Sequence, residues 1–291
     1  MQLKRMIPNL LTAGNLVGGI LAIILTLEGR IDLAPYCILL SALFDFLDGF
    51  AARLLKVQSE LGKQLDSLAD MVTFGVAPGV IVFELIRHYI FYNCSSLWLL
   101  PMPNEFGGGP LMDFPVQHLK FDLSLKTTQS PLCSENIELI SYFAFFIPVF
   151  ALFRLAKFNI DTRQTDQFIG LPTPAMTIFI ASLPLMISDA FENTAFWKFE
   201  FGSEVLLNPF FLIGSSVFLS VLMVVELPLF ALKFKHFKWS GNEIRYIFLT
   251  ISIVLLATLF VWALPIIILL YIILSLINNL TKKQTKDEIQ S

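Results

Sequence analysis

Several stretches of this chain run for roughly 20 residues with almost no charge, the length of helix that crosses the hydrocarbon core of a bilayer. Inside lipid a segment must satisfy its own backbone hydrogen bonds, so a continuous apolar run of this length has to be a helix. Composition agrees. Of the 291 residues, 56% are apolar and 15% charged, against about a quarter charged in ordinary soluble domains, and mean hydropathy is +0.73. The expected fold is therefore an all-α, polytopic membrane helical bundle, with a soluble helical bundle as the much weaker alternative.

The runs predict spans over residues 7–28, 33–56, 64–90, 138–160, 171–188 and 208–232. Residues 244–280 are too long for one crossing, and Pro265 divides them into two, which makes about eight transmembrane helices. Residues 1–232 would form a six-span membrane domain. Residues 233–280 would add a basic turn and two C-terminal spans, and 281–291 a polar cytoplasmic tail. The start, Met1 to Pro8, resembles a secretory leader in charge. The apolar run after it is long, lacks a small-residue cleavage site and contains Asn9, Thr12 and Asn15, so it is expected to remain as the first span. Those three polar residues recur every third position and share a face, either for contacts between helices or to line a site. Residues 91–137, with Pro101, Pro103, the Gly107–Gly109 run and Pro131, read as a long extramembrane loop.

Eight spans place both termini on one side. Of the 20 Lys and Arg residues, fifteen then fall on that side and five on the other. Loops on the cytoplasmic side carry the basic excess, so both termini are expected in the cytoplasm, with the protein in the cell (inner) membrane. Cys94 and Cys133 share the outer loop, where a disulfide is permitted. None of the three His residues adjoins an acidic cluster, and no zinc-type spacing occurs. No nucleic-acid partner is expected.

Against this apolar background one stretch stands out. Asp45, Asp48, Gly49, Ala52 and Arg53 fall at i, i+3, i+4, i+7 and i+8, one stripe of a helix, and Gly62, Asp66 and Asp70 form a second at i, i+4 and i+8. The short polar turn 57–63 between them puts both stripes at one membrane face, the cytoplasmic one. Four carboxylates cannot stay ionised together in a poorly solvated place without positive charge among them, and ionisable groups within spans usually mark function. Oxygen ligands of this kind suit Mg²⁺ or Mn²⁺, and a pair of such ions can clamp a phosphoryl group. Gly49 and Ala52 leave room beside the helix, Arg53 can grip a phosphate through two hydrogen bonds, and Gly62 permits close approach. Asp70 or Asp45 could act as a base. The chemistry so indicated is metal-assisted phosphoryl transfer at the membrane surface, on a lipid phosphate.

Written as Asp-x2-Asp-Gly-x2-Ala-Arg-x8-Gly-x3-Asp-x3-Asp, these residues resemble the signature of the CDP-alcohol phosphatidyltransferases at all eight fixed positions. Chance would match the pattern somewhere in the chain with a probability on the order of 10⁻⁸, at about one residue in twenty per position. The resemblance implies a six-helix core, a homodimer and a two-metal site. It implies that Asp45, Asp48, Asp66 and Asp70 bind the metals, that Gly49, Ala52, Arg53 and Gly62 hold the CDP portion, and that Asp70 is the general base. The segments Ile7 to Asn15, Asp66 to Pro78, Arg154 to Asn159 and Gly170 to Pro174 look like the phosphatidylserine synthase branch. That likeness implies CDP-diacylglycerol and L-serine as substrates, with Arg154, Lys157 and Asn159 as candidates for the serine site. Another acceptor, such as glycerol 3-phosphate or inositol phosphate, would use the same chemistry. A cation-coupled transporter is the alternative from another class, but spans two and three become apolar away from the cytoplasmic end, and no conspicuous inverted halves are present.

Overall fold

The computed structural model describes residues 2–57, 59–94, 138–160, 167–192, 201–230 and 242–290, together with Lys198 and Trp239. The proposed Cys94–Cys133 pairing, nearly all of the loop 91–137 and the basic turn 233–238 lie outside the described residues. The first helix, α1 (Gln2–Leu27), turns at Gly29 into α2 (Ala34–Leu54). Next come α3 (Glu60–Asp70), a π-helical stretch (Met71–Val76) and α4 (Ala77–Cys94) in one continuous rod. A short α5 (Glu138–Ser141) and a 3₁₀ turn lead into α6 (Phe146–Ile160). Strand β1 (Gln167–Ile169) precedes α7 (Thr173–Glu192), and α8 (Pro209–Val224) precedes strand β2 (Pro228–Phe230). The chain closes with α9 (Glu243–Leu259) and α10 (Ala263–Gln290).

The expected all-α, polytopic membrane architecture is what the structure has. Five helical stretches are long and apolar enough to cross a bilayer: Met6–Leu27, Glu60–Tyr89, Leu139–Ile160, Thr173–Ala190 and Glu243–Asn279. The outward faces are apolar as lipid contact requires. Along α2, Tyr36, Leu40, Leu43, Phe46, Phe50 and Leu54 recur at helical spacing and are all exposed. The opposite face of α2 packs antiparallel on α1, with Gly14 beside Phe44, Gly18 against Ser41 and Thr12 reaching Asp48. A Cβ on Gly18 would lie 2.0 Å from Ser41 Oγ, and one on Gly19 would lie 2.3 Å from Thr73 Oγ1. Small residues let these backbones approach, as packing in lipid demands.

The rod α3–α4 and helix α7 form the centre of the bundle. Their spanning windows are 67% and 72% buried, against 28% for α1 and 22% for the last stretch. Of the acidic positions, Asp70 lies where this rod enters the packed centre, at the end of α3.

Three boundaries differ from expectation. The sixth run ends as helix at Val224, and its remainder is extended, with β2 pairing antiparallel to β1 in the register Gln167 to Phe230 and Ile169 to Pro228. The last long stretch does fold as two helices, but it turns at Phe260 (φ 50°, ψ −121°) rather than at Pro265. Phe248 and Tyr271 ring centroids lie 5.8 Å apart across that turn, so α9 and α10 are an antiparallel hairpin. Pro265 falls in the first turn of α10, where its missing N–H costs nothing. The polar tail, expected to be separate from the last span, continues the same helix to Gln290.

Candidate active site

The two acidic stripes meet. Oxygen atoms of Asp45, Asp48 and Asp66 all lie within 4.8 Å of one another, and the Asp45 carboxyl also faces Asp70 within hydrogen-bonding reach. Helix α2 brings Asp45 and Asp48 down one face, while α3 brings Asp66 and Asp70 down another. The polar turn between them opens α3 with Ser59, whose Oγ accepts from Gly62 N at 3.1 Å. That cap explains the glycine. A Cβ there would sit 3.2 Å from Ser59 Oγ and 3.7 Å from Asn9 Oδ1.

Helix α1 supplies the third wall. Its inward face is Pro8, Thr12, Asn15, Gly19, Ala22 and Thr26, spaced four and three apart. Thr12 Oγ1 donates to Asp48 Oδ2 at 2.5 Å. Asn15 Nδ2 donates to Asp70 Oδ1 at 3.0 Å, and its backbone carbonyl accepts from Thr73 Oγ1 at 3.0 Å. The sequence reading named Thr12 and Asn15 for their spacing but left open whether they join helices or line the site. They do both, each orienting one carboxylate. The π-helical stretch starts directly after Asp70. Such widened turns recur at functional sites, and this one places Thr73 against α1 and Phe74 O where Thr177 Oγ1 donates to it at 2.9 Å.

The residues fit a metal ion. Among the described residues no lysine or arginine forms an ion pair with any of the four carboxylates; the pairs present involve Glu84 and Asp189. Asp66 Oδ1 is buried and has no hydrogen-bond partner among the described residues. Buried acceptors are ordinarily satisfied, and an orphan within a ring of carboxylates is what a bound cation would satisfy. Beside the ring the helix surface is open: a Cβ on Gly49 would meet nothing within 4 Å. Ala52 is half-buried on the same stripe, and Arg53 is exposed, its Nε donating to Gly49 O at 2.9 Å.

The three candidates on α6 separate. Arg154 is only 8% exposed. Its Nη1 donates to Thr173 Oγ1 at 3.2 Å, its guanidinium lies 5.1 Å from the Phe158 ring centroid, and it sits in the field of Asp70 and Asp45. Lys157 is exposed. Asn159 ties α6 to α3, its carbonyl accepting from Lys63 Nζ at 2.8 Å and its Nδ2 donating to Ser67 Oγ at 2.8 Å. Thr173 and Ser67 were missed by the sequence reading; only the fold brings them to Arg154 and Asn159.

The fold thus sets acidic residues of two facing helices beside an open strip at Gly49, in a chain whose long helices are apolar enough to cross a membrane. Residues 5–101 match the family model described as CDP-alcohol phosphatidyltransferase. It is similar to proteins named CDP-diacylglycerol–serine O-phosphatidyltransferase. One, from Helicobacter pylori (strain J99), is 27% identical over 93% of this chain and 90% of its own length. Another, from Bacillus subtilis, is 29% identical over 81% of this chain and 94% of its own length. An archaetidylserine synthase from Methanothermobacter thermautotrophicus is 28% identical over 62% of this chain and 58% of its own length.

Proposed function

We propose that this protein transfers the phosphatidyl group of CDP-diacylglycerol to the hydroxyl of L-serine, giving phosphatidylserine and CMP. The observation that carries the reading is the meeting of Asp45, Asp48 and Asp66 around an unpartnered buried oxygen, beside an open helix face. The names of the relatives support the acceptor. In this reading Asp45, Asp48, Asp66 and Asp70 hold two divalent ions, Mg²⁺ or Mn²⁺. Bound there, the ions would neutralise charge on the pyrophosphate and its leaving group. The CDP portion lies along Gly49, Ala52 and Gly62, and Arg53 holds a phosphate oxygen.

Serine binds with its carboxylate toward Arg154, whose buried guanidinium is a better anchor than the exposed Lys157. The serine oxygen attacks the lipid-side phosphorus, the bond from that phosphorus to the pyrophosphate bridge breaks, and CMP departs. Asp70, held by Asn15, takes the hydroxyl proton. Asn159 fixes the distance between α6 and α3 rather than binding serine directly. The positive-inside count supports an active site and both termini in the cytoplasm, in the cell (inner) membrane. The family resemblance adds a homodimer. The basic turn 233–238 would meet anionic head groups.

The test is CMP release by purified protein with CDP-diacylglycerol and Mn²⁺ or Mg²⁺, adding serine, glycerol 3-phosphate, inositol phosphate or choline singly. Release with serine alone is expected. Release only with another alcohol overturns the acceptor, and no release from folded protein with any of them overturns the reaction.

A further inference from the structure

The C-terminal hairpin packs into the buried core through Phe248, Trp262, Tyr271 and Ile272, and it reaches the ground on which Arg154 stands. Tyr271, about a third of the way along α10, is 7% exposed. Its hydroxyl donates to Phe230 O at 3.0 Å, and its ring packs edge-on against Phe230 with centroids 5.0 Å apart. Further along α10, Asn279 Nδ2 donates to Pro228 O. Both contacts land on β2, which is held from one side by this hairpin and pairs on the other with β1.

Strand β1 leads directly into the segment that carries Thr173. Gly170 N donates to Leu227 O at 2.9 Å, and Leu171 N donates to Leu222 O at 2.9 Å. Gly170 has φ +78°, and a Cβ there would lie 2.4 Å from Met223 O, so only glycine fits. Three residues later Thr173, fully buried, receives the Arg154 hydrogen bond. The Tyr271 phenol and the Arg154 guanidinium are also close enough to interact electrostatically. A path of consecutive contacts thus runs from α10 through β2, β1 and Thr173 to Arg154.

We propose that Tyr271 is a positioning residue for the acceptor site, and that the C-terminal hairpin braces the β1–β2 ribbon so that Thr173 holds Arg154 facing the carboxylates. This inference rests on the reading of Arg154 as the serine anchor. A buried guanidinium whose one hydrogen-bond partner among the described residues is a side-chain hydroxyl depends on where that hydroxyl sits. Releasing the ribbon from α10 lets Thr173 and Arg154 drift, which weakens serine binding before it touches the donor substrate.

The experiment is steady-state kinetics on full-length Tyr271→Phe, Arg154→Lys and the double variant, varying serine and CDP-diacylglycerol separately. Tyr271→Phe keeps the ring packing and removes only the hydroxyl. It is expected to raise the serine KM about three- to tenfold, the range of one net hydrogen bond, with kcat and the CDP-diacylglycerol KM unchanged. The double variant is expected to fall short of the product of the two single effects, because both act through one contact. An effect on folded yield alone, with both KM values unchanged, overturns the proposal. A raised serine KM in Arg154→Lys but not in Tyr271→Phe also overturns it and leaves the acceptor reading standing. An unchanged serine KM in Arg154→Lys overturns the acceptor reading, and this inference with it.

Discussion

Two groups of acidic residues lie within the helices of this protein, and they are handled in opposite ways. At one end Asp45, Asp48, Asp66 and Asp70 face one another, and among the described residues no lysine or arginine lies within ion-pair distance of them, Arg154 acting only through its field. At the other end, sixteen residues or about 24 Å along α7 from Thr173, Asp189 is fully provided for. Its Oδ2 accepts from Lys198 Nζ at 2.8 Å and from Trp262 Nε1 at 2.6 Å. Glu84 on α4 is likewise paired, with Arg87 Nη1 at 3.0 Å. A paired carboxylate is neutralised by the fold and helps hold it. A ring of unpaired carboxylates raises the energy of the fold and is supported by the surrounding packing, as strained arrangements at functional sites are. The contrast makes the first group the one that fits an outside cation.

The sharpest way to break this comparison is one substitution at each end. Asp66→Asn removes a proposed metal ligand and should lower CMP release on the order of a thousandfold, since several kcal/mol of transition-state charge stabilisation is at stake. Without divalent ions the same variant should melt at a higher temperature in detergent, because it relieves repulsion. Lys198→Met should do the reverse, lowering the melting temperature while activity per folded molecule stays within about twofold. If Asp66→Asn melts as low as Lys198→Met, the acidic ring is structural and the contrast fails.

A metal titration sharpens the same point with a smaller effect. Adding Mn²⁺ to the wild-type protein without substrate should raise its thermal stability. An ion at a hundred times its dissociation constant adds about 2.7 kcal/mol if it binds only the folded state. Asp45→Asn should lose most of that gain, and Asp189→Asn should keep it. Equal gains in both variants would mean that the ion binds elsewhere.

The sequence already carried much of this division. Helical spacing put the two acidic stripes on facing helices, and the short turn at 57–63 put them at the same end. Other features were not legible, for physical reasons. The π-helical stretch after Asp70 leaves no trace in apolar periodicity, since a single widened turn barely alters the pattern. Pro265 suggested the last reversal because proline lacks a backbone donor, but the same property suits it to a helix start. The actual reversal is at Phe260, whose positive φ is imposed by the packing of the two helices rather than favoured by its side chain. Strands of three residues are too short to announce themselves, so β1 and β2 were absorbed into a loop and a span. Arg154 read equally well as a membrane-edge anchor, because its burial depends on Thr173 from another span.

The smallest expected effect lies at the paired end. Trp262→Phe keeps an aromatic ring beside Phe201, whose centroid is 5.8 Å from that of Trp262, and below Lys198, but removes the indole donor to Asp189. Asp189 retains Lys198, so the loss is one hydrogen bond rather than an uncompensated charge, about 1 kcal/mol. That should appear as a melting temperature lower by a few degrees, with kcat and both KM values unchanged. The prediction separates two roles within the C-terminal hairpin. Trp262, at its turn, serves stability alone, while Tyr271, further along α10, bears on the acceptor site. A change in serine KM from Trp262→Phe would show that the hairpin transmits any loosening to Arg154. The bracing would then belong to the hairpin as a whole instead of to the contact between Tyr271 and Phe230.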